Sequence, residues 1–478
     1  ALLVSTLRAL GAQAIPYIPN RMDEGYGLNI PALETLAGQG IKLVVTVDCG
    51  VRSIKEASFA RKRGLDLIIT DHHAVGEGLP PAIAVIDPRR EDDPYPFKHL
   101  AGVGLAFKLA QALLRAESRV PVSKAKALLQ EEELLDLVAL GTVADLAPLI
   151  GENRTLVCRG LEQLQKAQRP GIAAMLEEAG LRPEQVDATA IGFVLGPRLN
   201  AAGRLDHAMA SYRLLTTTSA DEAVSLAQQL GAQNRERQQR MNEMVEKARQ
   251  EVLAQGDDWI YILADPAYTV GIAGLVASRI TEEFHRPTLV IALEEGQSKG
   301  SARSISAFHI TKALDECKDL LVKHGGHAAA AGFTIKNDNL DAFCARLREI
   351  AKDQLTTEDL VPVLKIDAAL PLTGANGETL ALIEELQPFG VGNPKPTFVT
   401  YNVQVRDCRP ISTERGGAKL KLSDGVAVWD AVVFGEIAAE NFAHHIDVVY
   451  TLQSNAWNGR QWIELVVKDL RPTAQKSE

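Results

Sequence analysis

The sequence lacks several features that mark particular classes of protein. It contains no run of about 18 apolar residues, which argues against a membrane-spanning helix. None of its five cysteines stands in a Cys-x-x-Cys pair, so neither a zinc knuckle nor a redox motif is expected. No basic segment followed by an apolar stretch opens the chain, and dispersed thiols are typical of a reducing compartment. We therefore expect a cytoplasmic protein that does not associate with membranes.

An excess of basic residues is also absent. The chain has 51 Lys and Arg against 61 Asp and Glu, a net charge of −10. Because nucleic-acid-binding proteins usually carry a basic face, this charge argues mildly against such a partner. Acidic residues that surround metal ions, together with local arginines along the strand, would reconcile the two.

The N-terminal part of the chain shows an α/β pattern. Short apolar segments at 41–48, 65–71 and 82–87 predict parallel strands, and the first two are separated by a crossover of helical length. Mostly helices are predicted over 101–215. The first twelve residues predict an amphipathic helix; since a strand normally precedes such a helix, we expect residues to be missing before Ala1.

The remainder of the chain predicts three further parts. One helix is predicted over 220–254, about 50 Å long at 1.5 Å per residue, with a polar middle (233–239) that favours a solvent-exposed bridge between domains. A second α/β pattern follows, with strands at 259–264 and 287–293 and helices at 271–284, 309–323 and 338–352.

Five strand-like segments near the end predict a small barrel of the OB type, with Asn458-Gly459 as a hairpin turn. They are 397–407, 418–423, 427–434, 446–454 and 461–469. The predicted architecture is an α/β fold with a parallel-sheet domain (1–218), a connecting helix (219–255), a second α/β domain (256–355) and an all-β barrel (363–473).

Acidic and imidazole side chains follow the predicted strands. Asp48 and Asp71 each end a parallel strand, where ligands of open α/β sheets bind, and His72 and His73 come directly after Asp71. Asp145 ends an apolar helical segment. Oxygen and imidazole ligands together suit Mn²⁺ or Mg²⁺. Taken singly, such an Asp is more often a turn residue and such a His a structural residue.

At this point the sequence resembles a known family. TDHH (70–73), VTVDCG (45–50) and GTVADLAPL (141–149) are similar to the motifs of the DHH phosphoesterase superfamily. Six more segments resemble RecJ-type exonucleases in the expected order: PNRMDEGYGLN (19–29), GPRLNAAGRL (196–205), VGIAGLVASRI (270–280), GSARS (300–304), KHGGHAAAAGF (323–333) and PFGVGNPKPTF (388–398). The resemblance implies a DHH catalytic domain, a DHH-associated domain and an OB domain.

The resemblance also implies an activity and roles for the metal-site residues. It implies a metal-dependent 5′-to-3′ exonuclease that hydrolyses single-stranded DNA to 5′-mononucleotides in DNA repair and recombination. Asp48 would bridge two Mn²⁺ or Mg²⁺ ions, and His72 and Asp145 would complete the ligands of one of them. Asp71 would orient His72 or lie at the edge of the ligand set. His73 would face the scissile phosphate or the leaving oxygen.

Arginines and glycines in the family-like motifs are the expected substrate-binding residues. The set is Arg21, Arg198, Asn200, Arg204, Arg279, Arg303, Gly325, Gly326 and His327. Arginines of this kind are otherwise surface or ion-pair residues, and the glycine motif at 325–333 is otherwise a packed helix start. The GVG segment at 102–104 is interpreted as helix packing.

Aromatic and basic residues of the predicted barrel are candidates for contacts with a single strand. Trp429, Phe434, Trp457 and Trp462 are candidates for base stacking, of which Trp457 is expected to be exposed. Lys419 and Lys421 share one face of a strand by alternation.

One departure from the family pattern affects the expected activity. The family's Asp-x-Asp-Gly motif, which supplies further carboxylates, does not precede Ala1. We therefore expect this chain to be weakly active or inactive as it stands. Two alternatives stay open: a DHH phosphodiesterase that acts on short oligonucleotides, and a non-catalytic single-stranded-DNA-binding scaffold. A monomer that works with a helicase and a single-strand-binding protein is expected.

Overall fold

The computed structural model describes residues 1–19, 27–119, 129–205, 208–411, 416–435, 444–457 and 460–473. The helices are α1 Leu2–Ala9, α2 Ile30–Gly38, α3 Ile54–Lys62, α4 Gly102–Arg119, α5 Leu135–Ala144, α6 Gly151–Leu164, α7 Pro170–Glu178, α8 Ala188–Ala190, α9 Gly196–Leu205, α10 Met209–Thr216, α11 Ala220–Gln255, α12 Val270–Phe284, α13 Ile310–Glu316, α14 Leu340–Gln354 and α15 Gly377–Glu385. A π-helical segment, Ile191–Leu195, joins α8 to α9. Among these described helices, none is both long enough and apolar enough to cross a bilayer.

The strands form three sheets. They are β1 Leu43–Val47, β2 Asp66–Thr70, β3 Ala84–Ile86, β4 Tyr261–Asp265, β5 Thr288–Ala292, β6 Gln297–Arg303, β7 Leu321–Gly326, β8 Ala330–Lys336, β9 Ala368–Ala369, β10 Phe398–Pro410, β11 Gly417–Ser423, β12 Val428–Phe434, β13 His445–Trp457 and β14 Arg460–Pro472.

The first sheet confirms the three predicted parallel strands. Its order is β1-β2-β3, with Val47 opposite Thr70 and Thr70 opposite Ile86. This register brings the carboxyl ends of all three strands to the same edge, so residues that follow the strands lie close together.

Helices α4 and α5 pack close to this edge because small residues lie at their contact. A side-chain carbon on Gly141 of α5 would come within 2.7 Å of Val103 on α4. Helix α5 is apolar and buried on almost every side, and its C-terminal end is capped by Asp145. The packing of a fully buried helix therefore determines where the Asp145 carboxylate lies.

The long helix α11 confirms the prediction for 220–254. The Ser219 hydroxyl accepts a hydrogen bond from the Glu222 N–H (3.3 Å), and Gly256, with a φ of +78°, follows its last residue. The middle is exposed at Arg235, Glu236, Gln238 and Gln239, as expected, but Asn234 and Arg237 are only 2% and 8% exposed. The apolar spacing of the helix continues through these two polar positions, which face inward.

The second sheet has the order β4-β5-β6-β8-β7, in which only β4 and β5 are parallel. Strands β6, β7 and β8 were not predicted, and the helix expected over 309–323 ends at Glu316. The glycine motif at 325–333 forms a β-hairpin rather than a helix start. These strands are rich in Gly, Ala, Ser and Lys, which are weak strand formers, so their sequence pattern gave little signal.

The C-terminal part is the predicted barrel. Strands β10, β11, β12, β14 and β13 pair in that order, and β10 closes the barrel by pairing with both β11 and β13. Strands β13 and β14 form the expected antiparallel pair. Their turn, Asn458-Gly459, lies outside the described residues.

The barrel contacts the N-terminal region through the segment that follows Asp145. The Leu149 N–H donates a hydrogen bond to the Val391 carbonyl (2.7 Å). The Arg154 guanidinium donates to the carbonyls of Glu385 (3.0 Å) and Gln387 (2.7 Å). The barrel is thus joined to the same chain segment that carries an acidic candidate residue.

Candidate metal centre and nucleic-acid cleft

Asp48 follows β1 in a backbone conformation that side chains rarely adopt. Its φ is +66°, and its N–H donates to the Thr70 carbonyl of the neighbouring strand (3.0 Å). The Thr70 hydroxyl in turn donates to the Thr46 carbonyl (2.7 Å). Left-handed conformations at residues other than glycine cost about 1–3 kcal/mol and are concentrated at functional sites. The strained turn directs the carboxylate away from the strand at the sheet edge.

Gly102 lets the first turn of α4 approach Asp48. A Cβ atom at this position would lie 2.6 Å from Asp48 Oδ1, well inside contact distance. The GVG segment therefore does pack, as interpreted from sequence, but one of its glycines packs against the candidate ligand itself. Sequence reasoning missed this role, although a glycine at a helix start is a recognisable signal of close approach.

The structure brings Asp48, His72 and Asp145 together. His72 Nε2 lies 2.8 Å from Asp48 Oδ1 and 3.5 Å from Asp145 Oδ2. The His72 side chain is 12% exposed, whereas both carboxylates are more than a third exposed. Two acids from separate stretches of chain thus flank one imidazole at the open edge of the first sheet. Burial raises the pKa of Asp145, and the Asp48 charge adds to this effect against the opposing effect of His72.

Asp71 orients His73 rather than His72. Its Oδ1 accepts hydrogen bonds from His73 Nδ1 (2.7 Å) and from the backbone N–H groups of His72 and His73, and its Oδ2 accepts from the Val51 N–H. Burial raises the pKa of Asp71, but the hydrogen bond from His73 and those from the backbone outweigh it and hold the pKa below its usual value. Both oxygens are engaged, so the expectation that Asp71 orients the His72 ring is corrected.

This arrangement produces a group of oxygen and nitrogen donor atoms that fits a divalent cation. Ligand atoms of Asp48, His72 and His73 lie within 4.8 Å of one another. His72 Nε2 is buried and has no hydrogen-bond partner among the described residues, because its contact with Asp48 lacks hydrogen-bond geometry. A buried ring nitrogen between carboxylates is a typical metal-ligand environment, and oxygen with imidazole donors suits Mn²⁺ or Mg²⁺. The residues present therefore fit the expected cation.

Cys49 directly follows the candidate ligand Asp48 in the sequence. Burial, reinforced by the charges of Asp71 and Asp48, raises the pKa of Cys49 to about 12. Among the described residues, the group whose ligand atoms lie together contains Asp48, His72 and His73 and does not include this thiol.

Three of the five arginines expected to bind substrate can be placed, and Arg198 differs from expectation. Its Nε lies 2.8 Å from Glu178 Oε2, and a second arginine, Arg235, binds the other oxygen. The Glu178 carboxylate and the Arg198 side chain are 9% and 15% exposed. Arg198 is thus neutralised in a buried ion pair, so the structural alternative holds for this residue.

Two expected residues fall outside what the structure describes. Arg21 lies between the described ranges, and the side chain of Arg204 at the end of α9 is likewise not described. Asn200, in the same motif, is exposed and lines a cavity beside Ala144.

Arg303 and Arg279 come from the second sheet region. The Arg303 guanidinium lies against α12, where a Cβ on Gly274 would be 3.0 Å from Nη2, and burial lowers its pKa. Its Nη1 donates to the Ala302 carbonyl (2.8 Å). Arg279 is exposed and 3.4 Å from Glu282, which is a weak surface contact. Of the two, Arg303 has the environment expected of a binding residue.

The residues Gly325, Gly326 and His327 lie at the tip of the β7–β8 hairpin. His327 is exposed, and its N–H donates to the Ala330 carbonyl (2.8 Å). Ala330 is opposite Arg303 in the sheet, so this tip neighbours the arginine. The tip is a hairpin turn rather than a helix start, and the first turn of α13 contacts it, since the Ile310 N–H donates to the Ala328 carbonyl (3.0 Å).

On the barrel, Lys419 and Lys421 are both exposed, as strand alternation predicted. Phe434 and Trp462 are 56% and 37% exposed. Trp429 instead packs against the barrel core and donates its indole N–H to the Leu372 carbonyl (2.8 Å). The side chain of Trp457, the residue favoured from sequence, is outside the described part.

Family models match three parts of the chain. The N-terminal domain of the DHH family matches residues 1–142, the DHHA1 domain matches 256–353 and the RecJ OB domain matches 366–469. Relatives named single-stranded-DNA-specific exonuclease RecJ match along almost the whole chain. The one from Dickeya dadantii is 36% identical over 490 residues, which is 99% of this chain and 85% of the relative.

The chain belongs to the RecJ family. The RecJ of Bacillus subtilis is 38% identical over 475 residues, and this chain spans 98% of its own length but 59% of that relative. The crystal structure of RecJ from Thermus thermophilus in complex with Mn²⁺ superposes with a TM-score of 0.83 at 32% identity, covering 99% of this chain and 67% of that one. The family resemblance read from the motifs is thereby confirmed, together with the mixed α/β fold that ends in an OB-type barrel.

Proposed function

We propose that this chain carries the catalytic and strand-binding parts of a divalent-metal-dependent exonuclease that degrades single-stranded DNA from its 5′ end. The products would be 5′-mononucleotides. Support comes from relatives named single-stranded-DNA-specific exonuclease RecJ and from the fold they share with this chain. The domain division proposed is the one predicted from sequence: 1–218, 219–255, 256–355 and 363–473.

The single observation that carries this proposal is the group at the edge of the first sheet. Asp48 and Asp145 flank His72 Nε2 at 2.8 Å and 3.5 Å, and that nitrogen has no hydrogen-bond partner among the described residues. Acids that face each other in this way repel unless a cation lies between them. Mn²⁺ or Mg²⁺ bound there would neutralise charge on the phosphodiester and lower the pKa of the attacking water.

The chain's own residues have separate roles in the proposal. Asp48, His72 and Asp145 hold the cation, with His73 Nε2 as a further donor or as the group that faces the scissile phosphate. Asp71 holds His73 through Nδ1, which fixes the ring orientation and leaves Nε2 directed away from the sheet. The strained turn at Asp48 keeps its carboxylate in place without reorganisation when substrate arrives.

Binding of the strand would involve the second sheet region and the barrel. Arg303, Asn200 and the hairpin tip at Gly325–His327 are proposed to contact the nucleotide at the centre, with Arg21, Arg204 and Arg279 as further candidates. Lys419 and Lys421 on the barrel, with exposed Trp462 and Phe434, would hold the following strand by charge and base stacking. A role for Trp457 stays a prediction.

The proposal is tested with a 5′-labelled single strand and a duplex of the same sequence, each incubated with MnCl₂, with MgCl₂ or with EDTA. We expect labelled mononucleotide from the single strand only and none in EDTA. Mn²⁺ binding is followed in parallel by the shift of the melting temperature, which does not depend on turnover. Metal-independent cleavage, or equal cleavage of the duplex, would contradict the proposal.

A series of strands from two to thirty nucleotides separates the main proposal from the short-oligonucleotide alternative. If the barrel holds the strand, the rate of cleavage should rise with the length of the oligonucleotide until the oligonucleotide is long enough to reach the barrel. A preference for dinucleotides would favour the alternative, and binding of the strand without cleavage and without any response of the melting temperature to Mn²⁺ would favour the scaffold. A cytoplasmic location, a monomeric state and the partnership with a helicase and a single-strand-binding protein stay predictions.

A further inference from the structure

Arg237 occupies an inward position of α11 that a charged residue rarely takes. The buried residues of this helix follow a regular stripe: Ala223, Leu226, Ala227, Leu230, Gly231, Asn234, Arg237, Ala248 and Val252. Arg237 lies on that stripe and is 8% exposed. Its Nε and Nη2 donate to Asn234 Oδ1 at 3.2 Å and 2.8 Å. The guanidinium is therefore held in a fixed orientation by its own helix.

The charge of Arg237 is not balanced by an acid. Among the described residues, no carboxylate lies within ion-pair distance of it, whereas its neighbours Arg235 and Arg240 bind Glu178 and Glu236. Burial lowers the pKa of Arg237, and no acidic group opposes this effect. Buried charges in proteins are normally paired, since an unpaired one costs several kcal/mol. A buried arginine without an acid is the arrangement expected where an anionic ligand supplies the counter-charge.

Arg237 lines a cavity of about 120 Å³. Its wall includes Ala144 at the end of α5, Asn200 on α9 and Leu275 on α12, so it opens where the first and second sheet regions meet. Gly196 contributes no side chain to the wall, and Ala144 directly precedes Asp145. Arg237 and Asn200 are donors of hydrogen bonds, and no acidic residue lines the cavity in the part of the chain described. The lining thus favours a small anion close to the proposed metal centre.

We propose that Arg237, with Asn200, binds one phosphate group of the DNA strand in this cavity. The inference rests on the proposed function, and it adds a phosphate contact made by the connecting helix. A planar guanidinium can donate two parallel hydrogen bonds to a phosphate group. The low-polarity surroundings strengthen the electrostatic attraction between the two charges. The helix that links the two sheet regions would then contact the backbone of the strand directly where the strand passes between these regions.

The first experiment measures anion binding without DNA or turnover. The melting temperature is followed in buffer with and without inorganic phosphate for the wild type, Arg237→Gln, Arg237→Lys, Arg240→Gln and Arg198→Gln. We expect phosphate to raise the melting temperature of the wild type and of Arg240→Gln, and to have little effect on Arg237→Gln. Arg237→Lys, which keeps the charge without the fork, should respond weakly and fold even if Arg237→Gln does not.

The same series distinguishes a binding arginine from a structural one. Without phosphate, Arg237→Gln should melt at or above the wild-type temperature, because a buried unpaired charge has been removed and an amide still reaches Asn234. Arg198→Gln, which breaks a buried ion pair, should melt lower. An undiminished phosphate response in both Arg237→Gln and Arg237→Lys would overturn the proposal, as would a loss of stability like that of Arg198→Gln with no change in DNA affinity.

The second experiment measures the affinity for single strands in EDTA, where cleavage is blocked, using 5′-phosphorylated and 5′-hydroxyl oligonucleotides. We expect Arg237→Gln to weaken binding roughly 10-fold and to reduce the slope of log K against log salt by about 0.7, the value for one phosphate on a single strand. Equal weakening of both strands identifies a phosphate within the strand, whereas weakening of the phosphorylated strand alone identifies the 5′-terminal phosphate. If the wild type binds neither strand, the proposed function fails; if the wild type binds and Arg237→Gln binds equally well, only the role of Arg237 fails.

Discussion

Two clusters of charged side chains in the N-terminal region differ in how their charges are balanced. In the first, Glu178 lies between Arg198 and Arg235, and each charge has a partner within the chain. In the second, Asp48 and Asp145 flank a buried His72 nitrogen that has no hydrogen-bond partner among the described residues. The first cluster is balanced within the chain, whereas the second is the one proposed to hold a cation. Under that proposal, charge balance distinguishes the two clusters where residue type does not.

The largest expected effect is at the unbalanced cluster. Asp48→Asn keeps a residue that tolerates a positive φ but removes one carboxylate from the group. We expect Mn²⁺ affinity, measured by the shift in melting temperature, to fall by at least about 100-fold, and any nuclease activity to fall with it. The stability of the metal-free protein should not decrease, because one of two facing carboxylates is gone. Unchanged Mn²⁺ affinity would remove the distinction between the two clusters.

A smaller effect is expected when a residue that packs against Asp48 is changed instead of Asp48 itself. Gly102→Ala places a methyl group 2.6 Å from both Cβ and Oδ1 of Asp48, so the turn that carries the carboxylate must shift. We expect Mn²⁺ affinity to fall about 10- to 100-fold while the protein stays folded. Gly104→Ala on the same helix is the matched control, since the atoms nearest to its methyl group would belong to the Leu100 side chain and not to Asp48. Equal behaviour of the two variants would show that Gly102 matters for the helix and not for the metal centre.

At the balanced cluster the expected effect is on stability alone. Glu178→Gln leaves Arg198 without its acid, and the loss of one partner of a buried pair should lower the free energy of unfolding by about 3 kcal/mol. Glu236→Gln, which removes an exposed partner of Arg240, should change it by less than about 0.5 kcal/mol. Urea unfolding measures both. Mn²⁺ affinity should match that of the wild type, and a loss there would mean that the clusters are coupled.

The smallest expected effect is the pH dependence of the balanced cluster. Burial raises the pKa of Glu178, but the hydrogen bonds and charges of Arg198 and Arg235 outweigh it and leave the pKa below its usual value. The stabilisation is therefore complete above the unfolded-state pKa of about 4.3 and is lost as pH falls through the lower folded-state pKa. The difference in unfolding free energy between wild type and Glu178→Gln should shrink over that range. A difference that stays constant down to the lowest pH would contradict the ion-pair explanation.

Much of the fold could be predicted because the strong patterns coincide with real elements. The β-branched segments became β1 and β2, the uninterrupted segment after Ser219 became α11, and the alternating segments became the barrel. Strands β6, β7 and β8 were missed because Gly, Ala and Ser carry little strand signal and are held in place by their neighbours in the sheet.

The candidate site could be predicted only as far as residue types and motif order determine it. Asp48, His72 and Asp145 meet as expected, but the Asp71–His73 hydrogen bond and the Arg198–Glu178 pair depend on side-chain directions that no spacing rule gives. Arg237 was overlooked inside a polar segment that was interpreted as solvent-exposed. Its signal was available, since it lies three residues after Asn234 and seven after Leu230, on the face where the rest of the helix is apolar.

The hydrogen bond between Leu149 and Val391 links the C-terminal part of the chain to the segment that follows Asp145. Leu149 is close in sequence to Asp145, so a barrel that tilts under the pull of a bound strand displaces the backbone next to a metal-site carboxylate. A shortened protein that ends after α14 would lose the barrel that is proposed to hold the strand. It would also lose the hydrogen bond from Leu149 to Val391, which supports the backbone close to Asp145. In the proposed function the barrel would therefore support the catalytic site, although none of its described residues belongs to the candidate metal-ligand group.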